Sequence, residues 1–230
     1  HEAHAEGLLE HPHYTRPAEF RGEGVPDGSK SLTFALRFRA LDRTLTAAPE
    51  YRDAGGFLQA TRNGEASLTN AIKVALQRIP ARHVADLFCG IGSFTFALAL
   101  GGDRRNVVAV ESDPRAVRSL QYAVGQSSSP IKVVERDLFR RPLDKADLSG
   151  LDLVLFDPPR AGALAQCENL AIDGPEWVIA VSCNPATFSR DIRVLRNGGY
   201  ELTRVVPVDQ FLWSSHLEMF AILHRNKTSA

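Results

Sequence analysis

Three residues of this 230-residue chain have types and settings suited to covalent chemistry: Cys183, Glu218 and Asp157. A cysteine is the strongest nucleophile among side chains near neutral pH, and Cys183 sits in Ser182-Cys183-Asn184-Pro185, directly behind an apolar run. A helix starting at Pro185 is expected to lower its thiol pKa. Position alone equally allows a buried small hydrophobe. Glu218 enters an otherwise apolar run, Leu217 to Leu223. Burying a carboxylate is costly, raises its pKa, and makes it a proton acceptor at neutral pH; the other reading is an exposed acid on an edge strand. Asp157-Pro158-Pro159-Arg160 follows the apolar run Leu151–Phe156, the fourth after Pro80. Two prolines lock the backbone and remove two amide donors. The carbonyls and the Asp157 side chain are then expected to hold the edge of a planar base; a rigid turn is the plainer alternative.

A second group of residues suits a cofactor. Asp86-Leu-Phe-Cys-Gly90-Ile-Gly92 lies between an apolar run and a helical stretch, and its glycines allow close backbone approach. Glu111 ends the next apolar run, where a carboxylate can accept both hydroxyls of a ribose. Asp137 follows the third, in reach of an adenine edge. Dinucleotide sites use G-x-G-x-x-G to seat a pyrophosphate. Here the third glycine is missing, and Phe94, Thr95 and Phe96 fill the region. An acid leading the turn suits a cationic methionine-type cofactor, so S-adenosylmethionine is favoured over a dinucleotide. The cofactor candidates here are Asp86, Gly90, Gly92, Phe94, Glu111, Asp137 and Asp157; no metal is expected.

These residues need a scaffold that gathers them. Short apolar runs predict strands at 83–88, 106–111, 131–135, 151–156, 177–182, 200–207 and 217–224, with helices at 94–100, 114–124, 163–170 and 185–195. Such alternation implies a parallel sheet with helices on both faces, an α/β fold of Rossmann-like type. No helix separates the last two strands, which predicts an antiparallel hairpin at one edge. Seven strands in that order put every candidate acid and Cys183 at strand ends. Upstream, apolar positions from 65 to 79 predict a helix closed by Pro80, Gly55-Gly56 a turn, and the alternation from Leu32 to Arg39 a half-buried strand. The first thirty residues, with four of the seven histidines, read as a loop-rich arm.

Composition sets outer bounds. Lys+Arg 27 against Asp+Glu 27 gives zero net charge, so nothing argues for holding nucleic acid by bulk charge. Three cysteines without a CxxC pair disfavour a disulfide framework or a zinc site and point to a reducing cytosol. No apolar run reaches the roughly 18 residues of a membrane span, and no secretory signal is evident.

Together, FLQAT (57–61), DLFCGIGSF (86–94), VVAVE (107–111), FDPPRAG (156–162), VSCNPATFSRD (181–191) and VDQFLWSSHLE (208–218) resemble the RNA 5-methyluridine methyltransferases, in the family's order. The resemblance implies a class I S-adenosylmethionine-dependent methyltransferase with a seven-stranded, mostly parallel sheet. It implies that Cys183 attacks uracil C6, that Glu218 removes the C5 proton, that Asp157 holds the uracil edge, and that Gln59, Glu111 and Asp137 hold the cofactor. The expected substrate is RNA, of 23S ribosomal type, with transfer RNA as the alternative; the expected enzyme is cytoplasmic and monomeric. Family members usually carry an N-terminal RNA-binding barrel and a central domain, for which the chain has no room. It lacks a four-cysteine iron–sulfur cluster, and it has Ala60-Thr61 where relatives often carry Asn. A cofactor-binding module without productive RNA binding, and an enzyme methylating another carbon or nitrogen, are the competing readings. Separately, GLLEHPHYTRPAEFRGEGVPDG (7–28) resembles a piece of the knotted tRNA guanine-N1 methyltransferases. The expected organisation is therefore a fused arm over 1–30, a connecting segment over 31–53 and a catalytic domain over 54–226, without guanine-N1 activity.

Overall fold

A computed structural model of the protein describes residues 62–100, 104–208 and 217–226, together with four short strands. These are β1 (Ala18–Phe20), β2 (Ser31–Thr33), β3 (Arg37–Arg39) and β4 (Thr44–Thr46). β1 pairs with β2 and β3 with β4, both antiparallel. The alternation from Leu32 to Arg39 is thus divided between two separate ribbons. A period of two cannot tell one long strand from two short ones, because pairing partners decide where a strand ends. The rest of the arm and connecting segment, Gly55-Gly56 and the FLQAT block lie outside the described residues.

Seven strands make the main sheet: β5 (His83–Leu87), β6 (Asn106–Glu111), β7 (Ile131–Glu135), β8 (Leu153–Phe156), β9 (Trp177–Ser182), β10 (Glu201–Val208) and β11 (Glu218–His224). Their order is β10-β11-β9-β8-β5-β6-β7. β9, β8, β5, β6 and β7 are parallel; β11 runs antiparallel to both β9 and β10. The expected hairpin is present, and the last strand lies inside it while β10 takes the edge. Central runs such as LVLF and WVIAVS are almost wholly buried, as strands covered on both faces must be.

The helices are α1 (Arg62–Leu76), α2 (Ser93–Leu100), α3 (Pro114–Gly125), α4 (Lys145–Leu148), α5 (Leu164–Asp173) and α6 (Pro185–Asn197). One apolar cluster joins α1 and α2 to one face of the sheet through Leu68, Ile72, Leu98, Leu155 and Phe220. A second joins α5 and α6 to the other face through Cys167, Leu170, Leu195, Phe156 and Leu223. α4 has no counterpart among the expected helices. Its capping box, in which Asp144 and Asp147 each accept from the other's backbone, is a signal present in the sequence.

The chain winds from β5 outward to β7, then returns to β8 on the other side of β5. The turns after β5 and β8 therefore diverge at one crevice at the carboxyl edge of the sheet, where open α/β folds bind ligands. Among the described residues no helix is long and apolar enough to cross a membrane.

Candidate active site

The turn after β5 is tight and shaped for a ligand. Phe88 takes a left-handed conformation (φ 60), which costs a non-glycine residue energy, and Gly90 (φ 55) and Gly92 (φ 93) follow it. A Cβ on Gly92 would stand 2.5 Å from Leu120 Cδ1, whereas one on Gly90 would meet open space. Gly92 lets the turn close on α3, and Gly90 leaves room above it.

Two acids organise this turn. Glu111 reaches across from the end of β6: its Oε2 accepts from Gly90 N at 2.8 Å, and its Oε1 accepts from Ser112 N and Asp113 N at 2.7 and 2.9 Å. Only one of these bonds uses Oε2, so that oxygen keeps acceptor capacity for a hydroxyl. Asp86 lies beneath, 1% exposed, with Oδ2 accepting from Thr95 Oγ1 at 2.5 Å and Oδ1 buried without a partner. Burial, partly offset by the Thr95 bond and reinforced by Glu111, raises its pKa to about 7. An orphaned carboxylate oxygen beneath an open glycine turn, beside a carboxylate with spare capacity, fits a ligand bearing both a cationic amine and a ribose. Asp137 is committed more locally: its Oδ1 accepts from Phe139 N and Arg140 N, making its own turn. Phe94 is buried in the α1–α2 cluster, where its side chain packs against the core. Gln59 lies outside the described residues.

The chemical residues converge from three strands. Cys183 follows β9, Asp157 follows β8, and Glu218 opens β11 next to the Met219–Ser182 pair. Glu218 is 4% exposed, its Oε2 is buried without a partner, and burial pushes its pKa up to about 7. The helix start does not make Cys183 acidic as the sequence led us to expect. Burial first, then the negative charges of Glu218 and Asp157, push its thiol pKa up, with only partial relief from its backbone hydrogen bond and Arg160. These mutual influences are the electrostatic mark of a shared site. Cys89 and Cys167 are also raised well above the ordinary thiol value, burial being the main cause, in keeping with structural roles.

The proline turn after β8 departs from expectation in one respect. The carbonyls of residues 159–161 are engaged within the protein instead of being presented to a base. Pro159 O accepts from Gly162 N at 2.8 Å, and Arg160 O accepts from Asn184 Nδ2 and Thr187 Oγ1 at 2.9 and 3.2 Å. Ala161 O accepts from Arg190 Nη2. One of these bonds closes the turn on itself, and those to Arg160 O and Ala161 O fasten it to α6 and its cap. Thr95, Asn184, Thr187, Arg190 and Asp191 thus have roles that residue type alone did not reveal. Phe139, half-exposed with its ring 5.4 Å from that of Phe88, is another. An aromatic two positions after Asp137 was its only sequence signal.

A profile of the family described as tRNA (uracil-5-)-methyltransferase matches residues 51–226, a span that contains every candidate site residue. The chain belongs to that family. An uncharacterized RNA methyltransferase of Agrobacterium fabrum is 46% identical over 174 residues, which are 75% of this chain and 41% of the relative. The 23S rRNA (uracil(1939)-C(5))-methyltransferase RlmD of Alteromonas mediterranea is 36% identical, over 74% of this chain and 35% of its own length. The chain thus spans less than half the length of these family members. Among solved structures, the tRNA (uracil-54, C5)-methyltransferase of Pyrococcus abyssi, in complex with S-adenosyl-L-homocysteine, aligns with a TM-score of 0.64. It is 23% identical and the match covers 91% of this chain and 44% of that one, a likeness of fold.

Proposed function

We propose that this chain carries the catalytic part of an RNA uracil-C5 methyltransferase using S-adenosylmethionine, and that its substrate is ribosomal RNA. The observation that carries the reading is the buried Glu218 carboxylate, its Oε2 without a partner, near Cys183 at the same sheet edge as the Gly90 turn and Glu111. Family membership supports the uracil target, and the RlmD relative supports the ribosomal class. A cytoplasmic location goes with that class.

Asp86, Gly90, Gly92 and Glu111 would hold the cofactor, with Asp137 and Gln59 as further candidates. When bound, S-adenosylmethionine supplies an electrophilic methyl group on its sulfonium. Uracil C5 is a weak nucleophile, so the chain's own residues must activate it. Cys183 thiolate adds to C6, and the electrons of the C5–C6 double bond move toward C5 and the neighbouring carbonyl. After C5 is methylated, Glu218 takes the C5 proton. The electrons left behind restore the double bond, and the bond from C6 to sulfur breaks to free Cys183. Asp157 accepts from the uracil edge and holds the ring while this happens. A base stacked in RNA cannot enter such a crevice, so it must leave its stack.

The test is a trap. Fluorine at C5 cannot be removed as a proton, so 5-fluorouridine RNA with S-adenosylmethionine should leave a protein–RNA adduct of summed mass plus one methyl. The adduct should vanish in Cys183→Ala. No adduct with either ribosomal or transfer RNA fragments, while the cofactor binds, would select the cofactor-binding module without productive RNA binding. An adduct with transfer RNA alone would move the substrate class.

A further inference from the structure

We propose that Asp191 and Arg190, in the second turn of α6, are positioning residues: they clamp the Asp157–Ala163 turn to that helix and so set where Asp157 and Arg160 stand relative to Cys183. The proposal deepens the functional reading above, and its kinetic part rests on it.

The clamp is dense and all from one helix. Asp191 is 2% exposed; its Oδ2 accepts from Ala163 N at 2.7 Å, and its Oδ1 accepts from Arg190 Nε at 2.9 Å. Arg190 Nη2 also donates to Ala161 O at 2.9 Å and pairs with Asp191 Oδ1 at 2.8 Å. Asn184, the N-cap of α6, accepts from Ala186 N and donates to Arg160 O; Thr187 donates to the same carbonyl. Residues 160, 161 and 163 are each bound by a side chain of α6 or its cap. Gly162 between them has φ 76, and a Cβ there would stand 2.5 Å from Arg190 Nη2, 2.6 Å from Asp191 Oδ2 and 2.9 Å from Thr187 Cβ. Only glycine permits that approach.

The clamp joins the two arms of the chemistry. Cys183 precedes the helix cap by one residue, and Asp157 and Arg160 lie on the clamped turn. Asp191 is buried while Arg190 is partly exposed, so the pair is a weak source of stability, but the bonds of both side chains to the turn are demanding of geometry. Neither Asp191 nor Arg190 is placed to touch a reacting atom, so the effect passes through Asp157, Arg160 and Cys183. Displacing a positioned group by about 1 Å can cost roughly 100-fold in rate.

The experiment follows Cys183 alkylation by iodoacetamide against pH, read by peptide mass, in wild type, Asp191→Ala, Gly162→Ala and Arg225→Met. Turnover on RNA is measured in parallel. Arg225→Met removes a comparable hydrogen-bonded group from the opposite edge of the sheet and serves as the structural control. In Asp191→Ala the alkylation midpoint should move to lower pH, because the turn bearing Asp157 no longer crowds the thiol. Its kcat should fall roughly 10- to 100-fold with the KM for RNA nearly constant. Asp191→Asn, which keeps an acceptor for Ala163 N, should recover part of the loss. If Asp191→Ala does not fold, Gly162→Ala displaces the same turn directly and should show the same shift. The proposal is overturned if Asp191→Ala and Gly162→Ala follow the wild-type alkylation curve, or if Arg225→Met shifts it equally. Alkylation needs no RNA, so an inactive wild type would sink the functional reading and still leave the clamp decided.

Discussion

Both edges of the main sheet give charged side chains to the backbone, but they differ in the buried acids left with an unpaired oxygen. At the amino edge of the parallel strands, charged side chains are given to the backbone. Arg225 donates to Ala171 O, Gly198 O and Gly174 O at 2.8, 3.1 and 2.7 Å while lying 4.5 Å above the Tyr200 ring. Arg105, 4% exposed, donates to Ala81 O and Leu76 O. Asp152 accepts from Arg82 N and His83 N at 2.8 Å each. At the carboxyl edge, Asp86 and Glu218 each keep a buried oxygen without a partner, and Phe88 holds a strained backbone. Trp177 Nε1, likewise buried and unpaired, is the exception at the amino edge. One edge secures the fold; the other sacrifices stability for reactive groups.

The largest test of this contrast is Glu218→Gln. Turnover should fall about 10²- to 10⁴-fold, the range for a lost general base. Stability should move the other way. The folded pKa of about 7 lies above the ordinary carboxylate value of 4.5, so the wild type loses stability as pH rises from about 4.5 to 7. The glutamine variant should escape that loss and be more stable above pH 7 by on the order of 3 kcal/mol. Denaturant midpoints measured against pH decide it, and parallel curves for the two proteins would remove the contrast. On the proposed mechanism Glu218 accepts a proton only when ionised, so the same pKa predicts that wild-type turnover declines below about pH 7. It should go on rising above pH 7, because the Cys183 thiol is also raised.

Arg225→Met should invert the pattern, costing about 2–4 kcal/mol through three carbonyls left short of a charged donor. Per-molecule activity of the folded fraction should stay near wild type. A large drop in kcat at unchanged folded fraction would show that the two edges are not separable.

Asp152→Asn should produce the smallest effect. Burial pushes the Asp152 carboxyl up, but the His83 and Arg82 amides more than reverse this, and it titrates below its ordinary value. Its contribution is present above the ordinary carboxylate range and lost as pH falls through the lowered one. The group is substantially exposed, so about 1 kcal/mol or less is expected near neutrality, vanishing in acid. A change that grows on acidification would contradict the assignment.

The strand–helix alternation and the antiparallel end were legible because the runs behind them are strong. VVAVE, LVLF and WVIAVS can hardly be anything but covered strands, and Pro114 and Pro185 mark helix starts. Residue types also pointed to Cys183, Glu218 and Asp157, since a thiol, an acid entering an apolar strand and a double proline are each unusual. Less legible were features that depend on what lies opposite. The left-handed Phe88, the core position of Phe94 and the split of the run from Leu32 to Arg39 belong to this class.

By itself, the sequence determined the order of elements, the family and which residues could react. Only the tertiary structure decided their state. Periodicity and residue type are local properties, whereas a pKa depends on everything packed around a group. Nothing in Ser-Cys-Asn-Pro says that Glu218 and Asp157 lie close enough to raise the Cys183 thiol. Nothing in Ser-Arg-Asp says that Asp191 turns inward to grip Ala163, 28 residues earlier. Those facts arise where β11 slots between β9 and β10 and α6 folds back on the proline turn. Burial and proximity are created there, and with them the chemistry.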